Sequence, residues 1–144
     1  MSAPLLAPAA VLVAWSLIML FWMAGVRLPA MSRNGVDLGT AQPGGRGQDL
    51  ENVLPPQVNW KSHNYTHLME QPTLFYATVM ILVLAGAGDG INVQLAWGYT
   101  VLRIAHSLWQ SLVNSVPVRF GLFVLSTLCL TGLAINALRA TIGF

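Results

Sequence analysis

Four polar side chains of one long apolar stretch, Arg103, His106, Gln110 and Asn114, recur at intervals of three, four and four residues. On a helix that spacing puts all four on one face, and Tyr99 extends the stripe one turn further. The preceding apolar stretch carries a second stripe, Asn64, His67 and Glu70, at intervals of three and three. Counted at about 1.5 Å per residue, Glu70 lies roughly 10 Å inside its helix and His106 roughly 12 Å inside, with Arg103 deeper. The two faces can therefore meet at one depth, and a Glu70–Arg103 ion pair is the expected way to accommodate both charges. Arg119 follows Asn114-Ser115-Val116-Pro117, which reads as an N-cap and a first-turn proline. A cation there is electrostatically misplaced beside free N–H groups, and the combination makes an anion site. Arg27, at the end of the first apolar stretch, adds to the same positive pocket.

Each of these residues also has a plainer reading. Intramembrane polar groups serve as hydrogen-bond glue between helices. A single histidine, His67 or His106, is ordinarily a satisfied structural residue, and Arg119 can snorkel to lipid phosphates. Seven polar groups on two facing stripes exceed what glue requires.

The elements that must position these groups are membrane helices. Of the 144 residues, 55% are hydrophobic and only 8% charged. A soluble domain of this size has too much surface for its volume to hide that much apolar side chain. The net charge of +2, with scattered Lys and Arg, gives no nucleic-acid footprint. Cys129 is the single cysteine and cannot close an intrachain disulfide. There is no Walker loop, Ser-His-Asp set or metal-spaced Cys/His cluster, so no metal is expected. Four segments, about 8–29, 64–87, 91–114 and 116–140, supply the roughly 20 apolar residues a spanning helix needs. The expected fold is an all-α integral membrane protein, an antiparallel bundle of four transmembrane helices forming one domain over residues 1–144. The first segment lacks a basic n-region and reads as a retained helix. The second is the informative one: its clean apolar run, Thr73 to Gly86, is short, so spanning draws His67 and Glu70 into the membrane. A start at Pro72 would instead leave Glu70 at the interface.

Residues 30–63 form a Gly-, Pro-, Asn- and Asp-rich loop without apolar periodicity. Arg27, Arg33, Arg46, Lys61 and Arg119 lie at its end of the bundle, while the GAGDG turn offers only Asp89. Positive-inside asymmetry then puts the loop in the cytoplasm and both termini outside.

The run HLMEQPTLF in the second segment and LRIAHSLWQSLVNSVPVRF across the third and fourth resemble the MAPEG family, membrane-associated proteins in eicosanoid and glutathione metabolism. The resemblance covers the second segment to the start of the fourth, with Val26-Arg27-Leu28 as a looser match in the first. Arg-x-x-His followed by Pro-x-Arg carries most of its specificity. It implies a homotrimer that binds glutathione between subunits. Glu70 and Arg103 match glutathione contacts, and His106 matches a histidine of the prostaglandin-synthesising members. Arg119 matches the arginine that stabilises the thiolate, and Arg27 the arginine ending the first helix. The sequence departs from the pattern at three places. Thr66-His67 replace an Arg-Asn pair, Gln110 replaces a tyrosine, and Phe120 stands where a prostaglandin-synthesising member has serine. These departures point to a bacterial branch, in an inner membrane, and away from eicosanoid substrates.

On this reading Arg119 is the catalytic residue, and Arg27, His67, Glu70, Arg103, His106 and Gln110 bind glutathione as co-substrate. Membrane lipids surround the protein, and a lipophilic electrophile partitioned in the bilayer is the second substrate. The alternative is a non-enzymatic membrane scaffold or assembly protein that keeps the fold. A channel or transporter has little support, since paired broken helices are not evident.

Overall fold

The computed structural model describes residues 3–143. Among them the chain is helical, without strands: α1 (Leu6–Arg33), α2 (Pro56–Leu68), α3 (Gln71–Leu84), α4 (Ile91–Leu112) and α5 (Val116–Ile142). α2 and α3 are two halves of one membrane-crossing path, so the bundle has four legs. By length and composition, α1, the Pro56–Leu84 run and α5 can each cross a membrane. α4 falls short on composition because one of its faces carries the polar stripe. Its 22 residues nonetheless span roughly 33 Å, about the thickness of the hydrocarbon layer.

The second leg begins at Pro56, earlier than the expected start near residue 64. Pro56 occupies the first helical turn, where its missing N–H costs nothing. Polar residues such as Lys61 and His63 hid this turn from an apolar-length criterion. The Pro56–Leu84 run covers 29 residues, or roughly 43 Å, so its first turns stand clear of the hydrocarbon. The leg is interrupted at Met69–Glu70, between α2 and α3. Pro72 causes the interruption: it has no N–H for the Leu68 carbonyl, and its ring displaces that carbonyl from helical register. Glu70 sits at the break with φ −88° and ψ −94°, outside the helical region.

α4 is the central helix, packed against α1, α2 and α5, while α3 lies against α1 and α5. Its inward face buries Ala96, Tyr99, Thr100, Arg103, His106 and Ser107. Leu12, Met19, Phe75, Leu82 and Leu133 complete the apolar core around it. The Phe75 and Tyr99 rings stack with centroids 4.4 Å apart. Several polar groups between the legs pair with one another, which lowers the cost of burying them. Trp15 Nε1–H donates to Ser107 Oγ (3.0 Å), Tyr99 O–H to Gln71 Oε1 (3.1 Å), and Gln71 Nε2–H to Thr127 Oγ1 (3.0 Å). Leu17, Phe21, Leu74, Val101, Phe120 and Leu128 are exposed and form part of the lipid-facing surface.

At the end away from the loop, α3 stops in a Schellman turn, three residues short of the expected boundary at 87. Ala87 N–H returns to the Leu82 carbonyl (2.8 Å) and Gly86 N–H to Val83 (3.1 Å), with Gly86 at φ +74°. Asn92 Nδ2–H then donates to the Ala87 carbonyl (2.9 Å), and Asn136 Nδ2–H to Asn92 Oδ1 (2.7 Å), fastening α5 to the start of α4. Arg139, in the last turn of α5, adds a cation at this end.

Left-handed geometry at position 86 costs an L-residue about 1–2 kcal/mol, with asparagine tolerated better than alanine. Gly86→Ala should therefore lower unfolding stability in detergent by about 1 kcal/mol, and Gly86→Asn by clearly less. Equal losses in the two variants, read from denaturation midpoints, would remove backbone strain as the cause.

Candidate functional site

The break in the second leg decides where the buried guanidinium goes. The last carbonyls of α2 lack regular helical partners, and the His67 carbonyl is left with only a long bond from Glu70 N–H (3.3 Å). Arg103, fully buried on α4, fills this gap. Its Nη2 donates to His67 Nδ1 (2.8 Å) and to the His67 carbonyl (3.3 Å), placing a cation at the negative end of α2. Its Nε and Nη1 are buried without a partner.

The expected Glu70–Arg103 ion pair does not form. Among the described residues the one contact between a carboxylate and a basic side chain within salt-bridge distance is Glu51–His63 (2.6 Å), outside the bundle core. Three-residue spacing carries Glu70 onto the His67 face only in an unbroken helix. At the break Glu70 turns outward and is exposed.

The His67 ring stacks on His106, with centroids 4.9 Å apart and planes at 19°, and meets the edge of Phe123 at 5.6 Å. Two cavities share this ring. The larger, about 620 Å³, opens at the loop end of the bundle and gathers Arg27, His67, Glu70, Gln110 and Arg119. Its size lies within the range typical of small-molecule sites, about 300–1,000 Å³. The smaller, about 200 Å³, is lined by His67, His106 and Arg119 with the apolar Val116, Phe120 and Phe123. Arg103 lines neither cavity: it stands behind His67.

Arg119 reaches its position by an unexpected route. Asn114 is not the N-cap of α5. That place belongs to Ser115, whose side chain makes no capping bond. Asn114 ends α4 in the left-handed conformation, φ +56°, with its N–H returning to the Trp109 carbonyl (2.7 Å). Its side-chain Oδ1 accepts from Arg119 Nη1 at 2.5 Å, which aligns the guanidinium along the cavity wall.

Arg27 ties the long loop down. Nη1 donates to Ser62 Oγ (3.0 Å) and Nη2 to the Gly47 carbonyl, while Nε is buried and unpartnered. A Cβ at position 47 would meet the guanidinium at 3.1 Å, so a side chain there would push Arg27 back by a few tenths of an ångström. Gly47, Gln48 and Glu51 thereby become part of the larger cavity's wall. Asn59 Nδ2–H holds the next stretch through the Glu51 (3.0 Å) and Leu54 (3.3 Å) carbonyls. Leu54 packs with Ala30 and Met31 in a small separate core. These loop contributions have no periodic signature, and sequence reading missed them. Tyr65 and Thr66, also on the wall, were detectable only as neighbours of His67.

The sequence model of the MAPEG family matches residues 5–139 of the 144-residue chain. No curated protein and no solved structure matches it.

Hydrogen bonds from a charged donor contribute about 1.5–3 kcal/mol, so Arg27→Ala should release the loop. Limited proteolysis in detergent should cut between residues 40 and 50 roughly tenfold faster than in wild type. An unchanged cleavage rate would mean the loop is held elsewhere.

Proposed function

This chain belongs to the MAPEG family, and from that premise we propose that it is a glutathione-dependent membrane enzyme acting on a lipophilic electrophile. The observation that carries the reading is the larger cavity, a space of small-molecule size whose wall carries two arginines, Arg27 and Arg119, and two carboxylates, of which Glu51 is engaged by His63 and Glu70 is free. That set suits a ligand with two carboxylates and one ammonium. Arg27 and Gln110 both line this space. Glu70 takes the ammonium and Arg27 a carboxylate.

Glutathione supplies a nucleophilic sulfur. Arg119 lies where the polar and apolar cavities meet, and its positive field favours thiolate over thiol. A new S–C bond forms there, and the electron pair displaced from the electrophile leaves with its leaving group or moves to its acceptor atom. The protein's part is positioning and charge stabilisation, with no covalent intermediate on a side chain. His106 and Phe123 offer the apolar approach from the bilayer side. Arg103 and His106 belong to this site as supports behind and beside His67.

We further propose a homotrimer. Glu70 lies at the midpoint of the 29-residue Pro56–Leu84 run and is exposed in a single chain. An exposed carboxylate at this depth is costly wherever lipid can reach it, and a neighbouring copy closing over that side of the cavity relieves the cost. The charge asymmetry of the two ends supports a cytoplasmic loop with both termini outside, in a bacterial inner membrane.

Titrating glutathione into detergent-purified protein tests this reading through the ultraviolet absorbance of the thiolate. A saturable band is expected, weakened in Arg119→Ala, with turnover of a reactive aromatic electrophile falling about 100-fold. Undiminished turnover removes Arg119 from the mechanism. A wild-type protein that develops no band at saturating glutathione favours the scaffold reading instead.

A further inference from the structure

The Arg103–His67 contact fixes more than the orientation of the ring. A guanidinium has only donors and does not lose its proton in proteins. The 2.8 Å contact between Arg103 Nη2 and His67 Nδ1 therefore requires Nδ1 to be the acceptor, so the ring's one proton sits on Nε2. Protonating the ring would place an N–H against the arginine's N–H at that distance. The other charged or titratable groups around the ring do not compensate. His106 stacks on its face from α4, Arg119 shares its cavity wall from α5, and Glu70, beyond the helix break, makes no hydrogen bond to it. Nε2–H has no partner among the described residues. The ring lines both cavities, and Arg119 is the cation on their shared wall.

We propose that Arg103 locks His67 as the neutral Nε2–H tautomer, and that this N–H donates to the thiolate sulfur opposite Arg119. The sulfur as acceptor rests on the function proposed above, because the two reactants must meet where the cavities share a wall. The lock itself rests on the hydrogen bond alone. His67 then does not take the thiol proton, which leaves through the open polar cavity to water. Arg103 becomes a positioning residue that acts through His67 and leaves ligand contact to others.

Nitrogen NMR of the full-length, ¹⁵N-histidine-labelled protein in detergent reads the tautomer directly. The chain has three histidines, and the His67 ring is identified by its loss in His67→Asn. The expected spectrum shows it neutral, protonated at Nε2, and unchanged from mildly acidic to mildly alkaline buffer. An Nδ1–H tautomer, or a ring that titrates over that range, overturns the lock. The sulfur contact is read by thiolate absorbance with glutathione as the probe. His67→Leu should lower the bound thiolate fraction about tenfold, the effect of one hydrogen bond to a charged acceptor. His67→Asn, which restores an N–H donor and the residue usual in the family, should recover most of it. Equal losses in Leu and Asn overturn the donor role. A wild-type protein without a thiolate band overturns the thiol reading and the sulfur contact together, while the NMR result still decides the lock.

Discussion

A fully buried arginine in a membrane bundle, with no carboxylate to face it, is the constraint that the rest of this structure answers. Desolvating a guanidinium is expensive, and in lipid no water is at hand to relieve the cost. The chain solves this with backbone. Pro72 breaks the second leg, the break frees carbonyl capacity at the end of α2, and Arg103 caps that end while also engaging the His67 ring. The same break turns Glu70 outward. It also starts α3 at Gln71, whose amide links Tyr99 on α4 to Thr127 on α5. One proline thus accounts for the socket of the buried charge, the exposure of the carboxylate and a three-helix hydrogen-bond chain.

The site inherits its layout from this arrangement. His67 is held from behind by α4 and faces two spaces of different character, one polar under the loop and one apolar against α5. Departures from the family pattern fall on these walls: His67 and Gln110 line the polar space, and Phe120 the apolar one. Such changes alter what the cavities accept without disturbing the helices that frame them. Membership of the MAPEG family therefore accounts for the architecture, while the residues at these walls set what is particular to this chain.

Much of this was legible from residue spacing. The stripe Tyr99, Arg103, His106, Gln110 does face inward, because α4 is regular along its length and 3.6-residue periodicity holds there. Arg27, His67, Glu70, Gln110 and Arg119 do converge on one cavity. The failures share a cause. Spacing arguments assume an unbroken helix, and Glu70 lies on the break, so its pairing with Arg103 could not be inferred by counting. By residue type Asn114 reads as a cap of α5, whereas its left-handed conformation belongs to the end of α4. The loop's share of the cavity depends on Arg27 reaching a backbone carbonyl, and no side-chain pattern encodes that contact.

The two asparagine contacts at opposite ends of α4 bear on how α4 and α5 slide. Asn136 holds Asn92 at one end, and Asn114 holds Arg119 at the other. A longitudinal slip of one helical turn, about 5.4 Å, would carry Cys129 and Leu95 off the glycines that face them, Gly98 and Gly132. It would also orphan both amides at once. The pair therefore behaves as a ruler with a stop at each end. The axial distance from the distal turn to the Arg119 guanidinium is thereby fixed.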